Sequence, residues 1–449
     1  MRIRRIVNFS RSGYERPATV ASITLRTMRR RSLPTSLISL TERGAIAMGY
    51  FHTRRAVLTA GAVAAGSAIL RPGDAAAREL GASRSEYGRR SKYERSERFV
   101  TPGGLPGTGS SRTPLQDLYG IITPSSLHFE RHHSGVPTID PTQHELLLHG
   151  LVERPLRFSM AELRRFPSVS RLHFIECGGN AGREQDGNPG STVQLSHGLL
   201  SCSEWSGVSL SVLLREAGLK NSARWILAEG ADAARHSRSI PLEKALDDVI
   251  VAYGQNGEAV RPEQGYPLRL VAPGYEGNVN VKWLHRLQVL DQPAMSRDEA
   301  ASYTDLMPSG KARRFTFEME TNSVITRPSG GQHLDGRGFF EITGLAWSGL
   351  GKIVRVEVSV DGGGTWGDAE LQAPVCSKAL TRFRYPWRWA GEEAILQSRS
   401  TDETGYVQPT RDMLIAARGM RKGPDGFDHY HGIKPWRVNR DGSVVCLPA

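Results

Sequence analysis

From Lys352 to Val360 the chain alternates apolar and charged residues, and that pattern leaves one backbone open to it. Ile353, Val354, Val356, Val358 and Val360 are set against Arg355, Glu357 and Ser359. A period of two is the mark of a half-buried strand. Asp361-Gly362-Gly363-Gly364 then predicts a turn, with the return beginning at Thr365-Trp366. A glycine run can also cradle phosphate, but this one lies between strands with no Lys-Ser/Thr and no helix after it, so the turn reading stands. Thr381–Trp389 and Glu393–Ser400 are further strand candidates. Short strands separated by turn signals predict an immunoglobulin-like β-sandwich over residues 305–449.

Residues 113–304 read differently. Glu145–Gly150, Arg171–Glu176, Pro267–Pro273 and Lys282–Val289 read as strands. Ser159–Phe166 reads as a short helix capped by Ser159, with Glu162 placed for a capping box. Ser209–Ala217 again opens on a capping serine and continues in a helical apolar pattern. Helices and strands alternate irregularly, so the fold class is α+β. A chain of 449 residues is also too long for one core. Residues 78–112, rich in Arg, Ser, Gly and Glu, read as a linker or wrapping arm.

The formal charge of +12 suggests nucleic acid until it is located. Residues 1–77 hold 13 Lys and Arg against 3 Asp and Glu, which leaves the other 372 residues close to neutral. The basicity belongs to a leader, and nucleic-acid binding loses its support. Within that leader, Arg54-Arg55 precedes an uncharged run from Ala56 to Leu70 and the small residues Ala75-Ala76-Ala77. This layout is that of a twin-arginine export signal to the periplasm. The run is too short and too rich in glycine to span a bilayer, so no membrane span is expected in the mature chain. Met48 is a possible alternative start. The four cysteines, Cys177, Cys202, Cys376 and Cys446, form no Cys-x-x-Cys pair and no Cys-x-x-Cys-His haem site.

Three segments carry chemistry. Cys177 follows a strand and enters Gly178-Gly179-Asn180, so its sulfur stands at a strand end where glycines let a bulky ligand approach. A soft thiolate suits a transition metal, although a buried free cysteine is the plainer reading of one such residue. Phe129-Glu130-Arg131-His132-His133 supplies a guanidinium for oxyanions and several imidazoles. A zinc site built from His128, His132 and His133 lacks further ligands at defined spacing. Gly265-Tyr266-Pro267-Leu268-Arg269 through Pro273-Gly274, followed by Asn280-Val281-Lys282-Trp283, sets two cations in a rigid frame.

Taken together, Phe-x-Arg-x-His-x-x-x-Pro, Cys-x-Gly-Asn, Gly-aromatic-Pro-x-Arg-x-x-x-Pro-Gly and Val-Lys-Trp resemble the sulfite oxidase family of molybdopterin enzymes over residues 115–445. Within it, Gly198–Gly207 resembles the molybdenum subunit of sulfane dehydrogenases. The resemblance implies a molybdopterin-binding domain followed by a dimerisation domain, with molybdenum and molybdopterin as cofactors. It makes Cys177 the metal ligand and Arg131 the arginine that holds an anionic substrate. Tyr303 becomes the active-site tyrosine, and Arg418 a substrate-pocket arginine from the second domain. Phe129, His132, His133, Asp232, Arg269, Asn280, Val281 and Lys282 become cofactor contacts.

The chain departs from the family where arginines follow Cys-x-Gly-Asn: Ala181 and Gly182 stand there, and Arg183 comes late. Gln264 stands where a histidine precedes the glycine. A wider, less charged mouth favours sulfane sulfur on a carrier protein over free sulfite. The implied reaction is oxygen-atom transfer to sulfur. With no haem motif in this chain, a c-type cytochrome subunit would accept the electrons, in a heterotetramer built on a homodimer. The alternatives are a periplasmic sulfite:cytochrome c dehydrogenase, a methionine-sulfoxide reductase, and a non-catalytic exported binding protein.

Overall fold

A computed structural model describes residues 88–184, 190–306, 309–419 and 429–448. The expected leader with Arg54 and Arg55, the first ten residues of the expected arm, and Met307 and Pro308 lie outside the described residues. Residues 88–94 are exposed turns and coil. Arg95–Ala449 forms one compact unit.

The rest of the expected arm is built into the fold. Phe99–Pro102 pairs antiparallel with Gly109–Arg112, which pairs in turn with Glu130–His132. Composition hid this hairpin, because its strands carry few apolar residues and are held by backbone bonds with a few side-chain ones, such as Glu130 N–H to Ser111 Oγ.

Two five-stranded sheets follow. One runs in the order Leu156–Ser159, Glu145–Gly150, Leu284–Leu290, Trp225–Gly230, Ser237–Pro241, with a single parallel pairing between Leu284–Leu290 and Glu145–Gly150. The other is built on Ser168–Glu176 paired over nine positions with Leu200–Ser209, then Ile250–Gln255, which also pairs Glu258–Ala259 and Arg269–Val271. Leu146, Leu148, Ile226, Leu287, Val208 and Leu270 meet in one apolar core with the helix residues Leu210, Leu213 and Leu214. The fold is α+β, and most of it is sheet.

The helices are short. Met160–Leu163 begins with the expected capping box: Glu162 N–H donates to Ser159 Oγ and Ser159 N–H to the Glu162 carboxylate. Leu210–Ala217 lacks the side-chain cap expected of Ser209; the Leu210 N–H donates to Val249 O at 2.9 Å instead. The strand Arg171–Glu176 begins earlier, at Ser168, and buries every residue from His173 to Glu176. Both of its faces are covered, Phe174 by the core of the sandwich and Ile175 by a smaller cluster with Phe129 and Trp205.

From Asn322 onward two sheets face each other. One holds Asn322–Arg327, Gly338–Trp347, Thr381–Trp389 and Glu370–Gln372. The other holds Gly367–Asp368, Ile353–Ser359, Ala394–Asp402, Trp436–Val438 and Val444–Cys446. The predicted turn is present: Asp361 accepts from Thr365 N–H and Oγ1, and Gly367–Asp368 returns along Ile353–Ser359. Val324, Leu345, Trp347, Phe383 and Trp436 fill the sandwich, and its core continues into Leu115, Phe174, Val193 and Cys202. A hairpin of Thr304–Leu306 with Ala312–Arg314 spans the position expected as the domain boundary. No helix among the described residues is long and apolar enough to cross a membrane.

The junction has a polar pin. Trp347 Nε1–H donates to Glu176 Oε2 at 2.6 Å inside this core. Trp347→Phe leaves a buried acceptor unmet and a void where the rest of the indole lay, so it should cost at least about 1–3 kcal/mol in urea unfolding. Wild-type stability in that variant would show that the bond contributes nothing.

Candidate active site

Ser168–Glu176 ends at the site. Past Glu176 one more bond, Cys177 N–H to Leu199 O, continues the ladder, and Asn180 N–H to Cys177 O then closes a tight turn. Asn180 holds this turn with both ends of its amide. Nδ2 donates to Glu176 Oε1 at 2.8 Å, and Oδ1 accepts from Leu199 N–H at 3.0 Å. Gly178 leaves room for a buried acid, since a Cβ there would lie 1.6 Å from Glu276 Oε1 and would displace that carboxylate. Gly277 mirrors it, because a Cβ there would lie 2.6 Å from Glu176 O. The Cys177 turn and the 276–280 loop are thus pressed together.

Cys177 opens onto a cleft of about 730 Å³, measured open to solvent. Of the residues singled out from sequence, Phe129, Arg131, His132, His133, Asp232, Arg269, Asn280, Lys282 and Tyr303 line it too. Two do not. Val281 packs in the core beside Leu270, and its carbonyl accepts from Leu270 N–H. Arg418 pairs with Glu320 and donates to His429 O, away from the cleft. A carboxylate ninety-eight positions earlier in the chain has claimed that guanidinium.

Charge is the site's chief property. Arg131, Arg269 and Lys282 line the cleft, and none of them makes an ion pair among the described residues. Arg269 is 2% exposed and donates only to Gln264 and the Asn280 carbonyl, over the ring of Trp205. Burial alone lowers its pKa to about 9. Burial, with Arg269 adding to it, pushes the Lys282 ammonium well below the ordinary lysine value. Lys282 Nζ donates to the carbonyls of Arg131 and Glu263 and to His132 Nδ1 at 2.9 Å. His132 Nε2 meets Glu130 Oε2 at 2.8 Å. Burial first, and Lys282 second, lower the His132 pKa to about 3, so the ring is neutral.

The three histidines first weighed as a zinc set turn to different partners. His128 is buried against Phe129 and the edge of Trp205, while His133 stacks on His236. Asp232 accepts from Ser134 Oγ at 2.8 Å and from His236 N–H. Asn280 commits its amide to the loop, accepting from Ala272 N–H and donating to the carbonyls of Tyr275 and Glu276. Tyr303 lines the cleft with its ring 4.4 Å from the Arg238 guanidinium carbon.

Sequence reasoning passed over His236 and Asn278, which also line the cleft, as does Trp283 of the Val-Lys-Trp motif. It also missed Arg112, from the segment read as an arm. Burial lowers the Arg112 pKa, and Cys177 is the next charge acting on it. No local signal marks these residues, since their positions come from strand pairing and loop packing.

An anionic, many-oxygened ligand bound through sulfur would fit this cleft. Arg269 Nε, His128 Nε2 and Asn278 Nδ2 are buried without partners, and all three residues line it. Buried polar atoms left unmet imply a missing partner. A buried cation without a counter-charge calls for an anion.

Comparison with known proteins agrees. Residues 133–297 match the oxidoreductase molybdopterin binding domain, and residues 313–425 the Mo-co oxidoreductase dimerisation domain. The sulfane dehydrogenase SoxCD from Paracoccus pantotrophus has a chain of similar structure, with a TM-score of 0.80 and 44% identity over 84% of this chain and 97% of that one. Mouse mitochondrial sulfite oxidase is 33% identical over 65% of this chain. Arabidopsis nitrate reductase [NADH] 1 is 33% identical over 68% of it. The matched region spans 58% of the mouse protein and 38% of the plant protein. The chain belongs to the sulfite oxidase family of molybdopterin oxidoreductases. Its cofactor is molybdenum held by molybdopterin.

Arg269→Met tests the charge argument. In cofactor-free protein the lost carbonyl bonds and the relieved desolvation offset each other, so urea stability should change by no more than about 1 kcal/mol. Cofactor retention, read from pterin fluorescence after gel filtration, should fall roughly tenfold or more. A large loss of stability with full pterin content would contradict the assignment.

Proposed function

We propose that this protein is an exported molybdenum enzyme that oxidises sulfane sulfur held on a cysteine of a carrier protein, and that a c-type cytochrome subunit takes the electrons. One observation carries this reading. Cys177 opens onto the same cleft as three cations that have no carboxylate of their own.

The residues divide the work. Cys177 would hold the metal, and Arg269 and Lys282, with the orphaned groups of His128 and Asn278, would hold the cofactor's anionic end. When bound, the cofactor supplies two-electron oxidation with oxygen transfer to sulfur. Arg131 is the most exposed of the three cations, placed to orient an anionic sulfur group. Neutral His132 accepts from Lys282 and so aims that ammonium. Tyr303 would donate to oxygen at the reacting centre, as Phe129, His133 and Asp232 shape the walls. Arg418 becomes a positioning residue, since it reaches the Cys177 turn through His429, whose N–H donates to Gly178 O at 2.8 Å.

The substrate choice rests on missing charge. Ala181 and Gly182 stand where the family's arginines follow the cysteine. Neither lines the cleft, and Ala181 packs buried with Leu414 and Tyr430, so these positions bring it no cation to fix a free oxyanion. The likeness to a sulfane dehydrogenase supports the same choice. We further assign residues 113–304 to cofactor binding and 305–449 to pairing two copies, each with a cytochrome subunit, in a heterotetramer. The twin-arginine leader would deliver the folded, loaded enzyme to the periplasm.

The second reading is direct sulfite oxidation, which the likeness to sulfite oxidase favours. Steady-state turnover with cytochrome c separates the two. The proposal expects kcat/KM on a sulfane-loaded carrier protein to exceed that on sulfite by at least about tenfold, or ~1.4 kcal/mol in the transition state. Preference for free sulfite would overturn it.

A further inference from the structure

Behind the Cys177 turn lies a cluster that the cleft does not use. We infer that Glu320, His429 and His431 form a second metal site, suited to one zinc-class divalent cation. One donor atom from each residue lies within 4.8 Å of the others. Glu320 Oε2 is 2.6 Å from His429 Nδ1 and 3.8 Å from His431 Nδ1. Donors on tetrahedral zinc sit roughly 3.3 Å apart, so small ring rotations complete the set.

The two rings are buried, stacked 4.9 Å apart, and poorly satisfied. His431 Nδ1 faces Glu320 without a hydrogen bond, and His429 Nε2 has none either. Burial holds the His431 imidazole neutral, the form that ligates.

Each donor residue also has an outer partner, as metal ligands do. Arg418 takes the other oxygen of Glu320, which leaves Oε2 as the one facing both rings. Tyr406 Oη lies 3.1 Å from His431 Nε2. The buried carboxylate of Glu176 lies 3.9 Å from His429 Nε2. His431 Nδ1 is the orphaned nitrogen that faces Glu320 Oε2, and a cation between them would meet it. The ligands come from two distant stretches of chain, and His429 N–H is bonded to Gly178 O. A bound cation would therefore fasten the back of the turn that carries Cys177. Borderline N/O donors select zinc over calcium or magnesium.

The experiment uses the full-length, molybdenum-loaded protein, stripped with a mild chelator and titrated with zinc chloride. One zinc per chain should bind beyond the molybdenum. Anomalous diffraction at the zinc edge of wild-type crystals should place the peak between Glu320, His429 and His431. Tyr406→Phe should fold and weaken zinc binding roughly 10- to 100-fold. Uptake of less than one zinc per chain, a peak elsewhere, or undiminished binding in a Glu320→Gln/His431→Gln double variant would each overturn the inference. The wild-type peak decides the matter even if the double variant fails to fold.

Discussion

Glu176 is a fully buried carboxylate at the end of a strand, and the geometry of the site depends on how it is satisfied. One oxygen accepts from Asn180, which closes the Cys177 turn, and the other from Trp347, which belongs to the sandwich. Burial raises its pKa, with only His429 and these hydrogen bonds pulling it back. A buried acid of this kind is tolerated only while its partners stay in place. The thiol's position is thus tied to the packing of the second half of the chain. Glu276 presses on Gly178 from the other side, so the turn is gripped between two loops.

The cleft inverts that arrangement. Behind the turn, acids and bases are matched, as in Glu320 with Arg418 and Lys434 with Glu184. In front of it, Arg131, Arg269 and Lys282 share one cleft with no ion pair among the described residues, and only the nearby charges of Asp232 and Glu263 offset Lys282. The fold bears this cost because sheet pairing and the 276–280 loop hold the cations in place whatever their mutual repulsion. A ligand that brings negative charge and oxygen acceptors relieves it. The free protein is therefore organised around a partner it does not supply.

Much of this was legible in the sequence, for identifiable reasons. Period-two alternation announced Ile353–Ser359, and Ser159 with Glu162 announced the first helix, because both are local. Cys177, Arg131, Arg269 and Lys282 could be singled out because their motifs combine rigid glycines and prolines with chemistry-bearing side chains. What was lost depends on tertiary geometry. The Ser209 cap failed because Val249 supplied the acceptor first. Val281 sits one residue from a cleft cation yet faces the core, and nothing in Asn280-Val281-Lys282 reveals which way the backbone turns. Arg418 went to Glu320, ninety-eight positions away. Arg112 was hidden in a segment whose composition suggests no structure, although its hairpin aligns Arg131.

The central claim is that the Cys177 sulfur coordinates the molybdenum. X-ray absorption at the molybdenum edge tests it directly, on wild-type protein and on Cys177→Ser loaded alongside it. The account predicts one fewer sulfur neighbour around the metal in the variant, with pterin still bound through the cation cleft. An unchanged sulfur shell in a variant that retains its metal would contradict it.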